Sequence, residues 1–409
     1  MYPRFAHDQL RQSLSIMRVV ALVGPRQAGK STLAMTLEPR DAFGYKTLDN
    51  PSTLKLAQQD PITFLDHSHQ TLIIDEIQRA PELILPIKMI VDQDMRPGRF
   101  LLTGSADVFA MRQTQDSLAG RISNIDLLPL SQGEFVGVRP TFIADAFSGS
   151  LPPPTKLDRS IESIVGAGGF PSFQSLPTKR GKREWMESYI RTMTARDVRT
   201  ISDLHDLDSI EPLIEQLALR ASGELNLTTI AKLLGINSKT IEAHIGVLER
   251  LFLVKRIPPF FRNELNRLIK TPKLFFLDSG LLSHLRRFDP DNPPEDRMGF
   301  GALLENFVLA ELMKQIGWAE DKPRIYHLRS SVGLEVDFVL ENWDRKVVAI
   351  EVKAGATIHY DWIKPINAVA EALGTDFVQG IILYTGKEIQ RLGEKITAVP
   401  ISSLWGAST

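Results

Sequence analysis

The stretch VVALVGPRQAGKST, residues 19–32, constrains the fold more than any other part of the chain. An apolar strand runs into a glycine-rich turn and then a helical run, and the turn matches G-x-x-x-x-G-K-S/T through Gly24, Gly29, Lys30 and Ser31. Such a turn lets backbone N–H groups converge on a phosphate at the positive end of a helix. Lys30 is then placed to reach the β- and γ-phosphates, and the Ser31 hydroxyl to ligate Mg²⁺. The expected nucleotide-binding segment is Gly24, Pro25, Arg26, Gln27, Ala28, Gly29, Lys30, Ser31 and Thr32, with ATP and Mg²⁺ as cofactors.

Around this loop, short apolar runs alternate with helical stretches. Arg18 to Val23, Tyr45 to Leu48, Leu72 to Ile74, Phe100 to Leu102 and Ile122 to Leu128 read as strands of a parallel sheet flanked by helices. TLIIDEIQ delivers Asp75 and Glu76 at a strand's C-terminal edge, where α/β sheets place their chemistry. Asp75 is expected to join Ser31 at the metal, and Glu76 to act as general base toward water. RFLLTGS ends in Thr103, Gly104 and Ser105, and the Ser105 hydroxyl is a candidate partner for that water or the γ-phosphate. Arg121, entering the next strand, reads equally well as a surface residue or as a cation reaching across a subunit boundary.

Composition narrows the remaining chemistry. Of 409 residues none is Cys, which removes disulfides, thiol nucleophiles and thiolate metal sites together. Lys+Arg 48 and Asp+Glu 49 nearly cancel, so nucleic-acid binding must come from local patches. No apolar run approaches the ~18 residues of a membrane span and no signal peptide is visible, so the expected location is the cytoplasm, with no membrane partner. The eight His show no zinc-ligand spacing.

The order of motifs GPRQAGKST, IIDEIQRAPEL, LLTGS and LAGR resembles the AAA+-type ATPases of bacteria and archaea that carry a C-terminal domain of unknown function. ESYIRTMTARDV, TPKLFFLDSGLLSHL, GALLENFVLAEL and LEVDFVL resemble that C-terminal domain. The resemblance implies a homo-oligomer in which Arg121 acts in trans as an arginine finger, and a helical lid for which Arg191, Arg196 and Arg199 are candidate sensors. The expected fold class is α/β: a P-loop parallel sheet with flanking helices, a helical and winged-helix segment, then an α/β nuclease-like part. The expected boundaries are 1–138 for the ATPase domain, 139–160 for a Pro- and Ser-rich linker, 161–272 for the lid and winged helix, and 273–409 for the nuclease-like domain.

Two later patterns bear on substrate. LEVDFVL and VVAIEVKAG alternate so that Leu334, Val336, Phe338 and Leu340 face away from Asp337, and Val348, Ile350 and Val352 face away from Glu351 and Lys353. With Glu305 from GALLENFVLAEL, this resembles the PD-(D/E)xK nuclease fold, in which Asp337 and Glu351 would bind a divalent cation and Lys353 would orient water. The second pattern is a basic run between Arg250 and Lys273, which offers Lys255, Arg256, Arg262 and Arg267 as nucleic-acid contacts, with Phe260 and Phe261 interleaved. The expected function is a Mg-dependent ATPase acting on or with nucleic acid, DNA before RNA. The alternative is a nucleotide-controlled switch or remodeller that binds protein partners through an inert nuclease-like fold.

Overall fold

The computed structural model describes residues 2–107, 118–201, 208–262, 271–292, 298–330 and 333–408. Strand β1 (Val19–Val23) is buried along its whole length because its alternate residues serve two apolar layers. Val19, Ala21 and Val23 pack with Leu72, Ile74 and Leu102, whereas Val20 and Leu22 pack with Leu10, Leu33 and Ile73. With β2 (Phe43–Thr47), β3 (Thr71–Asp75), β4 (Phe100–Gly104) and β5 (Ile122–Asp126) it forms a five-stranded sheet of order β2-β3-β4-β1-β5. Every neighbouring pair is parallel. The register sets Val23 beside Gly104 and Thr47 beside Asp75, so the carboxyl ends of the strands share one edge with the glycine-rich turn.

The proline-rich stretch at 139–160 is not a free linker. Phe142–Ser148 is a helix whose Phe142, Ile143 and Ala146 are buried. Gln379 donates through Nε2 to Ala146 O (2.8 Å) and Ser150 O (3.2 Å), which fastens the segment to the C-terminal part. Composition pointed to a linker here because Pro and Gly flank the helix without entering it.

The middle segment contains helices Leu227–Leu234 and Ser238–Arg250, joined at Gly235 in the left-handed conformation. The Asn237 side chain caps the second helix by accepting from Thr240 N (2.8 Å). Strands β6 (Gly223–Glu224), before these helices, and β7 (Val254–Ile257) and β8 (Lys273–Phe276), after them, form an antiparallel sheet of order β6-β8-β7. The boundary expected at residue 273 therefore cuts through a sheet, since β8 lies between two strands of the segment before it.

A six-stranded mixed sheet closes the chain: β9 (Arg324–Arg329), β10 (Glu335–Glu341), β11 (Val347–Lys353), β12 (Phe377–Tyr384), β13 (Gln390–Arg391) and β14 (Ile396–Pro400). Helix Met298–Trp318 covers one face and helix Lys364–Leu373 the other. The simple alternation expected for β10 is broken by a register shift between Val336 and Val339. Phe338 and Leu340 join one apolar layer while Val336 and Val339 join the opposite one, so Val336 and Phe338 do not share a face. Among the described residues, no helix is long and apolar enough to cross a membrane.

Candidate functional site

At the carboxyl edge of the five-stranded sheet, two glycines shape the turn. A Cβ at Gly24 would stand 2.2 Å from Leu127 O, so only glycine permits the close approach of the turn to the strand beside it. Gly29 has φ +95° at the start of helix Lys30–Ala34, a left-handed conformation that disfavours side chains. Two non-glycine residues at the same edge, Gln27 (φ 62°) and Glu76 (φ 63°), also adopt it. Left-handed backbone at residues with side chains costs free energy and concentrates at functional sites.

Lys30 folds over the turn and donates from Nζ to Gly24 O and Pro25 O, both at 2.9 Å. Burial lowers its pKa to about 8, although Glu76 pulls the other way. Asp75 gathers three hydroxyls: Ser31 donates to Oδ1 (2.8 Å), Tyr45 donates to Oδ2 (2.8 Å), and Thr103 donates to Oδ1. Carboxylate and hydroxyl oxygens are the donors a hard divalent cation takes, and Ser31 and Asp75 supply one of each. Gln78 Nε2 donates to Glu76 Oε2 and to Ser105 Oγ (2.9 Å), and the Ser105 hydroxyl lies 3.4 Å from the same carboxylate oxygen. Arg26 forms a two-toothed ion pair with Asp197, Nε to Oδ2 at 2.5 Å and Nη2 to Oδ1 at 2.8 Å.

Beside the turn lies a cavity of about 540 Å³, lined by Tyr2, Pro3, His7, Ala28, Thr32 and Pro171 among others. Arg4 ties its amino-terminal wall to the turn by donating to Ala28 O (2.5 Å) and Leu128 O (2.7 Å). A volume of this order falls within the range of small-molecule sites.

Lys30, Ser31, Asp75, Glu76 and Ser105 are thus brought together, but Arg121 is not. It precedes β5 at the sheet edge opposite the turn, since Ile122 pairs with Val19 and Asp126 with Val23. Its guanidinium is bound to Asp92 and to Ala119 O (3.0 Å). Tyr45, Gln78 and Asp197 were missed by sequence reasoning. Gln78 follows the acidic pair in IIDEIQ and Asp197 sits in TARDV, so both lie within recognisable motifs, whereas nothing in the sequence marks Tyr45. Arg191, Arg196 and Arg199 are exposed, and the buried Asp197 of the same segment faces the turn instead.

At the C-terminal sheet, Glu305 from helix Met298–Trp318 comes together with Asp337 of β10 and Glu351 and Lys353 of β11. Asp337 N donates to Glu351 Oε2 (3.2 Å), Val352 N donates to Asp337 Oδ2 (2.9 Å), and Lys353 Nζ donates to Glu351 Oε1 (2.5 Å). Sequence reasoning missed Lys273, which is 2% exposed and lies 3.0 Å from Glu305, 3.0 Å from Glu335 and 3.6 Å from Asp337. Burial pulls the Lys273 ammonium down, but Glu305, Asp337 and Glu335 outweigh it and leave its pKa raised. Burial and the neighbouring Asp337 push Glu305 up, and the same two causes push Glu351 up to about 8. Among the described residues, no group of three or more acidic or His side chains is arranged to hold a metal ion.

Among the described residues of the basic run, Arg256, Arg262 and Lys273 are spent on internal ion pairs. Arg262, with a side chain 3% exposed, bridges Glu341 and Asp376 at 2.8 Å each. Arg256 binds Glu242 and Glu249. Phe260 is buried while Phe261 is 50% exposed. Lys255 is exposed, and Arg267 lies outside the described residues.

Residues 17–136 match a family model described as an AAA domain. Residues 158–292 and 300–404 match two domains of unknown function, DUF8612 and DUF4143. The uncharacterized protein Rv2008c of Mycobacterium tuberculosis is 26% identical over 403 residues, covering 98% of this chain and 84% of its own length. The uncharacterized protein MJ1544 of Methanocaldococcus jannaschii is 21% identical, with coverages of 95% and 87%. Similar solved structures include a Walker-type ATPase of Pyrococcus abyssi (TM-score 0.41, 15% identity, 70% of this chain and 96% of that one). The RuvB branch migration motor of Thermotoga maritima is also similar (TM-score 0.27, 17% identity, 63% and 90%).

Proposed function

Taking residues 17–136 as an AAA-type ATPase unit, we propose that the chain hydrolyses ATP to ADP and phosphate with Mg²⁺, and that it works as a nucleotide-controlled switch. The observation that carries this reading is the meeting of Lys30, Ser31, Asp75 and Glu76 at one sheet edge beside a cavity of about 540 Å³. Ser31 and Asp75 would hold Mg²⁺, which neutralises charge on the β- and γ-phosphate oxygens. Lys30 would exchange the carbonyls of Gly24 and Pro25 for phosphate oxygens, and the approaching anion would raise the pKa that burial has lowered. Backbone N–H groups of residues 24–32 would line the phosphates, with the base in the cavity beside Thr32. Glu76, held by Gln78 and Ser105, would take the proton of the attacking water.

The switch reading is favoured over a nucleic-acid enzyme by two observations. The cations expected to meet phosphate, Arg256 and Arg262, are engaged with four carboxylates of the same chain. The carboxylates expected at a second metal already have cations of the same chain beside them, Glu305 and Asp337 at Lys273 and Glu351 at Lys353. Nucleic-acid contact by Lys255 and Arg267 belongs to the less favoured reading. A homo-oligomer using Arg121 as a trans finger is part of the proposal, and requires Arg121 to leave Asp92.

The test is a paired binding and turnover measurement. Lys30→Ala should abolish nucleotide binding, while Glu76→Gln should bind ATP yet lose about 10²- to 10⁴-fold in turnover. Unchanged phosphate release by Glu76→Gln would remove the base from the mechanism.

A further inference from the structure

The ion pair between Arg26 and Asp197 joins groups 171 residues apart, one in the glycine-rich turn and one in a different segment of the chain. Asp197 is 4% exposed and ends a π-helical turn, Met193–Asp197, that interrupts the helical run from Lys179 to Ile201. Wide turns of this kind strain the backbone hydrogen bonding and recur at functional sites. Arg26 belongs to the same glycine-rich turn over which Lys30 folds, donating to the carbonyls of Gly24 and Pro25, the residues just before it. Burial lowers its pKa, but the hydrogen bond and charge of Asp197 outweigh that and leave it raised. A guanidinium and a phosphate form the same two-toothed pair that Arg26 now makes with a carboxylate.

We propose that Asp197 is the residue through which the middle segment senses the γ-phosphate: without nucleotide it holds Arg26, and with ATP bound Arg26 transfers to the γ-phosphate and Asp197 is released. The inference rests on the ATPase reading and specifies how that site is regulated. A carboxylate and a γ-phosphate compete for one guanidinium, so the cost of parting Arg26 from Asp197 weakens ATP but not ADP. The segment bearing the wide turn thereby acquires two states, paired and unpaired, that only the triphosphate distinguishes. By linkage, whatever stabilises the unpaired state of the segment tightens ATP by the same factor.

The experiment compares the full chain with Asp197→Asn and Arg26→Gln, measuring Mg²⁺-dependent binding of ADP and of a non-hydrolysable ATP analogue by calorimetry. Amide hydrogen exchange of residues 186–201 is followed in each state. In the wild type the ATP analogue, and not ADP, should raise exchange after residue 192. Asp197→Asn should tighten the analogue by roughly tenfold, within the ~5- to 150-fold usual for coupled sites, and leave ADP unchanged. Arg26→Gln, on a part-exposed turn, should bind both ligands alike and show raised exchange without ligand, so it carries the test even if the Asp197 variant misfolds. An unchanged ratio of analogue to ADP affinity in both variants overturns the inference while leaving the ATPase reading intact. A wild type that binds neither ligand removes both.

Discussion

Replacing Lys273 by Met tests whether that ammonium is the internal counter-ion of the C-terminal sheet. Met keeps the length and flexibility of the side chain and removes only its charge. The ammonium sits 3.0 Å from Glu305 and Glu335 and 3.6 Å from Asp337. At an effective dielectric constant of about 20, each of the two nearer contacts is worth on the order of 5 kcal/mol of attraction before desolvation is subtracted. Burial of the charges cancels much of that, and breaking one partner of a buried pair costs about 3–5 kcal/mol overall. Domains hold only ~5–15 kcal/mol in total, so the loss would be a large fraction. It should also depend on pH. Without the cation the pKa of Glu305, already raised by burial, rises further, so the folded variant takes up protons that the unfolded chain does not bind. Stability of the variant therefore increases as pH falls, and the gap to wild type narrows. Urea unfolding followed by tryptophan fluorescence, with Trp405 buried against Phe307 as reporter, should give a loss near the estimate at about pH 8 and less than half of it at about pH 5.5. Equal stability of the two proteins at the higher pH, or a gap that does not change with pH, would refute the counter-ion argument.

Glu351 gives a second pH signature. Its folded pKa, pushed up to about 8, exceeds the unfolded value, so its stabilisation is complete below the unfolded pKa and is lost as pH rises through about 8. Glu351→Gln should flatten the stability profile across that window; the carboxylates held low by cations, such as Asp376, act only in more acidic solution. Incubation with labelled DNA and RNA in Mn²⁺ should show equal, background cleavage by wild type and Lys353→Ala, and cleavage that disappears with Lys353 would restore the nuclease reading.

The local pattern of the chain determined the glycine-rich turn and the parallel sheet around it. Strand, glycine turn and helix are consecutive there, and backbone geometry ties the spacing of Gly24, Gly29, Lys30 and Ser31 to one shape. The acidic pair Asp75 and Glu76 was legible for the same reason: a buried apolar strand must deliver its last residues to the sheet edge. Even the meeting of Asp337 with Glu351 followed from strand alternation, although the bulge in β10 changed which neighbours share a face. What the sequence left open was the pairing of charges between distant segments. A run of Arg and Lys looks like a nucleic-acid surface until folding brings Glu341 and Asp376 to Arg262, or three carboxylates to Lys273. Likewise Asp197 drew no notice beside three arginines, yet it is the side chain that reaches the turn. Periodicity and motif spacing report on neighbours along the chain, whereas the electrostatic fate of a side chain depends on what is folded against it and on how much water is excluded there. That second quantity exists only in the tertiary structure.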